Sequence, residues 1–276
     1  MQIDEDAQLQ ALWRSLELAR RWEEVFSQPT GMWKTKPESD LALDDENSHP
    51  YGVSPAAWGA LTAAISHLGT LQNSLFSSSN QGHVSVKLHT HGQLTLVRGA
   101  LENSSLAVWL LEPDMSADRI LRRMQADWSE RRELGVVADE IGTPMPESRE
   151  AYEQKASAVL TRSGISPSKL RSRPSYGEIV KKAGEMVAGD SKLAFVLWKA
   201  CSAVAHGELR GVVAYLSHVE HKNEASETDY PVRRVETSVP ILVSGAMLAV
   251  RTTKAALRLY AQRSGAEQDS DLAKLA

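Results

Sequence analysis

Two sets of residues in this chain have the types and spacing for acid–base or oxyanion chemistry. In the stretch LTLVRGALENSSLAVWLL, residues 94–111, Arg98, Glu102, Ser105 and Trp109 recur at i, i+4, i+7 and i+11. That spacing puts them in one stripe on a helix. A second stripe, Trp198, Ser202 and His206, recurs at i, i+4 and i+8. A guanidinium can hold an oxyanion, and an imidazole can take or give a proton near neutral pH. The same residues also have a structural reading, in which Arg98 and Glu102 form an i,i+4 ion pair and His206 is a satisfied core histidine. Helix geometry alone favours that structural reading. In both readings a buried Arg98 requires a partner, because an unpaired buried charge costs several kcal/mol. The expectation is that Arg98, Glu102, Ser202 and His206 converge in the core.

The other constellations point less sharply. His83, His89 and His91 form a set to which His49 or His67 could add a metal ligand. A zinc site needs three or four fixed ligands, and the spacing fixes no third one. His218 and His221 are an HxxH pair on a segment of uncertain structure. Arg119, Arg122, Arg123, Arg131 and Arg132 could grip phosphate, but Asp127, Glu130 and Glu133 are interleaved among them. That reads more simply as a solvated helix face laced with i,i+3 and i,i+4 pairs. The sequence carries no phosphate loop, dinucleotide glycine fingerprint, HExxH or GxSxG pattern. It implies neither a cofactor nor a metal. The one cysteine, Cys201, lies in an apolar helix and reads as a packing residue.

These residues must be positioned by a mostly helical chain. With 276 residues and 42% apolar content the chain can bury a sizeable core. The net charge of −4 argues against a surface that coats nucleic acid. The first 50 residues carry 11 acids against 5 bases, a balance of −6, which leaves +2 for the remainder. The first residues, MQIDEDAQLQ, lack the layout of a signal peptide. The longest apolar run, residues 240–250, is stopped by Arg251 and is too short to span a bilayer. A cytosolic chain without membrane insertion is the expectation.

Apolar periodicity predicts helices over residues 6–26, 54–76, 93–112, 117–141, 147–162, 175–189, 191–215 and 239–263. The expected fold is all-α: a single-domain bundle of seven to nine helices over residues 1–276. Residues 27–54 read as a long loop with 40–49 its most mobile part, and residues 264–276 as a frayed tail. Ser54 before Pro55 reads as a helix N-cap. Ser175 with Glu178 forms a capping box, and Asp190 or Ser191 caps the helix of the second stripe. Val84, Val86 and Leu88 alternate like a strand that has no evident partner. Residues 212–238 read either as a short hairpin or as a helix tail and loop.

The Arg98–Glu102 helix with its WLL end, followed by the Arg119–Arg123 run and then by LWKACSAVAHGELRG with Ser202 and His206-Gly207, resembles a group of uncharacterised bacterial all-helical proteins. That group carries an RxxxE…WLL helix and a later SxxxHG helix. A more distant resemblance is to HEPN-type helical domains, many of them metal-independent ribonucleases with an Arg-x4–6-His motif. The resemblance implies acid–base work for the His and phosphate binding for the Arg. This chain departs from that motif: Lys199, Ala200 and Cys201 occupy the positions where the Arg would stand before His206. Two functions remain open. One is a non-enzymatic binding or interaction module, in stress response or phage defence. The other is a HEPN-like ribonuclease using His206. Nucleic acid is a partner only in the second, and a homodimer is open in both.

Overall fold

The computed structural model describes residues 4–26, 34–78, 84–220 and 233–266. Ten α-helices account for most of them: α1 (Glu5–Phe26), α2 (Asp40–Ser48), α3 (Val53–Leu75), α4 (Gly92–Leu111), α5 (Ser116–Ile141), α6 (Arg149–Arg162), α7 (Tyr176–Ala188), α8 (Ser191–Ala205), α9 (Leu209–Tyr215) and α10 (Val239–Arg263). A 3-10 turn, Pro167–Arg171, precedes α7. Two antiparallel hairpins complete the described elements: β1 (Phe76–Ser78) with β2 (Val84–Val86), and β3 (Ser217–Glu220) with β4 (Arg233–Glu236). The class is all-α, with one more helix than the upper end of the expected seven to nine. No helix among the described residues is long and apolar enough to cross a membrane.

Two differences raise the helix count. Residues 40–48 are not an unstructured stretch of loop but form α2. Ser39 caps it by accepting from the Ala42 amide at 3.3 Å. The periodic signal was weak because α2 is short and mostly polar, and its buried face rests on Leu41, Asp44 and Ser48. The stretch expected as one helix over 191–215 is two, because the chain breaks at Gly207. Gly207 has φ +65°, Glu208 N–H donates to the Ala203 carbonyl, and Gly207 N–H donates to the Val204 carbonyl. Those two bonds make a Schellman ending, which needs a left-handed residue and so favours glycine.

Other local expectations divide in the same way. The capping box is present: Ser175 N–H donates to Glu178 Oε2 at 2.8 Å, and Glu178 N–H donates to Ser175 Oγ at 3.3 Å. Asp190 caps α8 by accepting from the Leu193 amide at 2.8 Å. Ser54 does not cap α3. It lies inside the first turn, and its amide donates to Asp45 Oδ1 at 2.8 Å, so the cap comes from another helix. The strand at 84–86 does have a partner, residues 76–78, which read as a helix end and a polar linker because they contain two serines. Each reading of 212–238 holds in part: residues 212–215 close α9, and residues 217–220 pair with 233–236 as a hairpin, with residues 221–232 outside the described set.

The chain falls into two compact units, each discontinuous in sequence. The first comprises residues 1–30, 62–105 and 180–253. Its buried apolar residues include Leu12 and Leu16 of α1, Leu68 and Leu71 of α3, Val97 and Leu101 of α4, Leu197 and Cys201 of α8, and Leu242 and Ala246 of α10. The second comprises residues 31–61, 106–179 and 254–276. It buries Leu41, Leu110, Ile120, Met124, Tyr152, Leu160 and Tyr260, among others.

In the second unit the expected i,i+4 pairs form between Asp127 and both Arg123 and Arg131, and Arg132 is exposed, but Arg119, Arg122 and Arg123 are not a solvated face. Arg119 is only 2% exposed and grips Asp44 with two bonds, while its Nη1 donates to the Pro113 and Asp114 carbonyls, each at 2.8 Å. Arg122 donates to the Trp109 carbonyl and to Glu112. Arg263, also buried, donates to the Leu111 and Glu112 carbonyls and to Asp40 and Asp114. Two guanidinium groups, those of Arg122 and Arg263, therefore meet the carbonyl end of α4, and Arg119 holds the turn just beyond it. The last carbonyls of a helix have no partner within it and carry the negative end of its dipole, so cations there are favoured. Arg123 donates to the Tyr51 and Gly52 carbonyls and to Asp127.

Candidate functional site

In the first unit Arg98 and Glu102 stand one turn apart on α4, and Arg98 Nε donates to Glu102 Oε1 at 2.8 Å. Trp198 of α8 donates its indole N–H to the same oxygen, also at 2.8 Å. Arg98 Nη1 lies 2.8 Å from His206 Nε2. An arginine can only donate, so in this contact Nε2 is the acceptor and the imidazole is unprotonated there. Three of the four residues singled out by spacing thus come together, joined by Trp198 from the same stripe.

Their setting differs from the expected core. The Arg98 side chain is 25% exposed and that of Glu102 18%, and His206 is exposed. His206 is the C-cap of α8, not one of its turns, so the stripe Trp198–Ser202–His206 reaches past the helix end. Ser202 is buried one turn earlier, where its backbone carbonyl accepts from the His206 amide at 3.1 Å. Its hydroxyl joins none of the bonds around Arg98. Ser105 is also buried outside the cluster. Trp109 belongs to the second unit, where the Arg122 guanidinium lies 5.6 Å from its ring centroid.

Spacing did not single out His67 for this place. A Cβ on Gly99 of α4 would lie 2.6 Å from His67 Nε2, so the bare glycine is what lets the ring approach α4. Burial pushes the His67 imidazole below its ordinary range, and the Glu102 carboxylate opposes that shift. The available sequence signal was Gly99 itself, a helix-interior glycine next to Arg98, which marks a close approach.

Among the described residues no three His, Cys, Asp or Glu side chains converge as a metal site. His49, His89 and His91 are exposed, while His83 and His221 lie outside the described residues. His218 falls within β3. Cys201 is buried and burial pushes its thiol up to about 12, so the thiolate that would react is scarce at neutral pH.

The arrangement is a closed relay of charge-assisted bonds at the surface. One carboxylate oxygen takes two N–H groups, and the arginine that it orients covers a histidine nitrogen. Comparison with protein-family models, curated proteins and solved structures gives no match to this chain.

Proposed function

We propose that the chain is a cytosolic helical binding module, in which Arg98, Glu102, Trp198 and His206 shape a recognition surface without cutting RNA. The observation that carries this reading is the Arg98 Nη1 to His206 Nε2 contact of 2.8 Å. A general base must have a nitrogen free to take the proton of the attacking hydroxyl. Here that nitrogen accepts from Arg98, and Arg98 is held in turn by Glu102. The pairing also cancels much of the charge that would attract phosphate.

One observation favours the HEPN-like alternative. His206 is exposed beside a guanidinium, the pair that such a ribonuclease uses. Single-stranded and structured RNA incubated with the wild type and with His206→Ala, in the presence of a chelator, separates the two. Intact RNA with both proteins is the expected result. Cleavage by the wild type that is lost in His206→Ala would refute the binding-module reading and establish the ribonuclease.

A further inference from the structure

The second unit contains a cavity of about 520 Å3, within the range of small-molecule sites, between the C-terminal half of α5 and the start of α6. Its wall is aromatic and braced. Trp128 and Tyr152 lie nearly parallel, with ring centroids 6.0 Å apart. The Arg131 guanidinium covers Tyr152 at 4.2 Å, and Arg149 covers Trp128 at 5.0 Å. Most charges here are already engaged. Arg131 is paired with Asp127 and Glu147, Glu147 also with Lys155, and Arg149 with Glu153.

Three features remain unexplained by that packing. Among the described residues Arg132 bonds only its neighbour Glu133, with both side chains 68% exposed, a pair worth little in water. Asp139 makes no ion pair among the described residues, yet it lines the same cavity. Gly135 stands between them on that face, and a Cβ there would meet nothing within 4 Å. Glycine in a helix interior is unfavourable relative to alanine, and nothing in the unit's own packing requires it.

We propose that this cavity binds a zwitterionic small molecule of the free α-amino acid class with a large apolar side chain. Arg132 takes the carboxylate, Asp139 takes the ammonium, and the side chain lies against Val136, Met145 and Trp128. Arg132 and Asp139 are seven residues apart, about 10.5 Å along a helix. A bound amino acid spans roughly 9 Å between two such groups: two charge-assisted hydrogen bonds of about 2.8 Å plus about 3 Å between its own charged groups. Gly135 lets that ligand lie against the helix backbone. A cation held only by an exposed, weak pair and an anion with no ion pair among the described residues, on the same face, select against molecules that carry only one charge.

Isothermal titration with L-phenylalanine and L-leucine tests this, with 3-phenylpropionate and 2-phenylethylamine as single-charge analogues. The expected result is saturable binding of at least one amino acid, with both analogues weaker by about tenfold or more. Arg132→Ala and Asp139→Ala should each weaken binding by a similar factor. Gly135→Leu should abolish binding while the melting temperature stays the same or rises, since leucine is the better helix former. No heat from either amino acid at about 10 mM would overturn the proposal. So would equal binding of 3-phenylpropionate, or wild-type binding by Gly135→Leu. None of these variants touches Arg98 or His206, so this site and the RNA reading stand or fall separately.

Discussion

Replacing Asp44 with alanine tests the claim that the basic run is structural. Arg119 is 2% exposed and Asp44 is fully buried, and the carboxylate takes two of the four hydrogen bonds that the guanidinium makes. Ser116 Oγ donates to the same carboxylate and would lose its acceptor too. Arginine stays charged throughout the working pH range and cannot relieve its burial by losing a proton. The variant therefore leaves a buried cation with only two carbonyl oxygens. Breaking a buried pair in this way costs about 3–5 kcal/mol. In a unit of this size about 1 kcal/mol moves the melting temperature by roughly 2–4 °C, so a fall of roughly 6–20 °C is expected by calorimetry. Glu133→Ala serves as the control, because its Arg132 pair is exposed and its loss should change little. The double variant Asp44→Leu with Arg119→Met should recover most of the loss, since apolar replacement of a buried pair is often neutral or better. A single Asp44→Ala that melts within about 2 °C of the wild type, less than 1 kcal/mol, would refute the reasoning.

Glu102→Ala removes the acceptor for both Arg98 and Trp198, but the pair is part-exposed, so water can solvate Arg98. The expected cost is about 1–2 kcal/mol, with the His206 ring resonances shifted in NMR spectra as Arg98 is released. His67 is held below its ordinary imidazole value of 6.5 by burial. Its unfolded form therefore binds a proton first, so stability should be full above that value and fall as pH drops through it toward the lower folded value. The slope of melting temperature against pH below 6.5 should flatten in His67→Gln; an unchanged slope would mean that other groups set it. Cys201, buried and with its thiol raised, should resist iodoacetamide at pH about 8 in the native protein and react only after denaturation.

The helical class was legible because it rests on local physics. Apolar spacing near 3.6 residues and short-range caps such as Ser175 with Glu178 need no tertiary partner to be read. The i,i+4 geometry of Arg98 and Glu102 was legible for the same reason. What the local pattern could not contain was the identity of distant partners. Asp45 capping α3, Asp44 neutralising Arg119, and Arg263 closing the carbonyl end of α4 are bonds between residues 9, 75 and roughly 150 positions apart. A run of arginines looks the same in sequence whether it faces water or a buried carbonyl. Depth was likewise undecided by sequence. Helix α4 is apolar on nearly every side, and only its packing leaves Arg98 at a partly exposed margin beside an exposed His206. Periodicity records which residues share a helix face, whereas the water that reaches that face depends on every element packed around it.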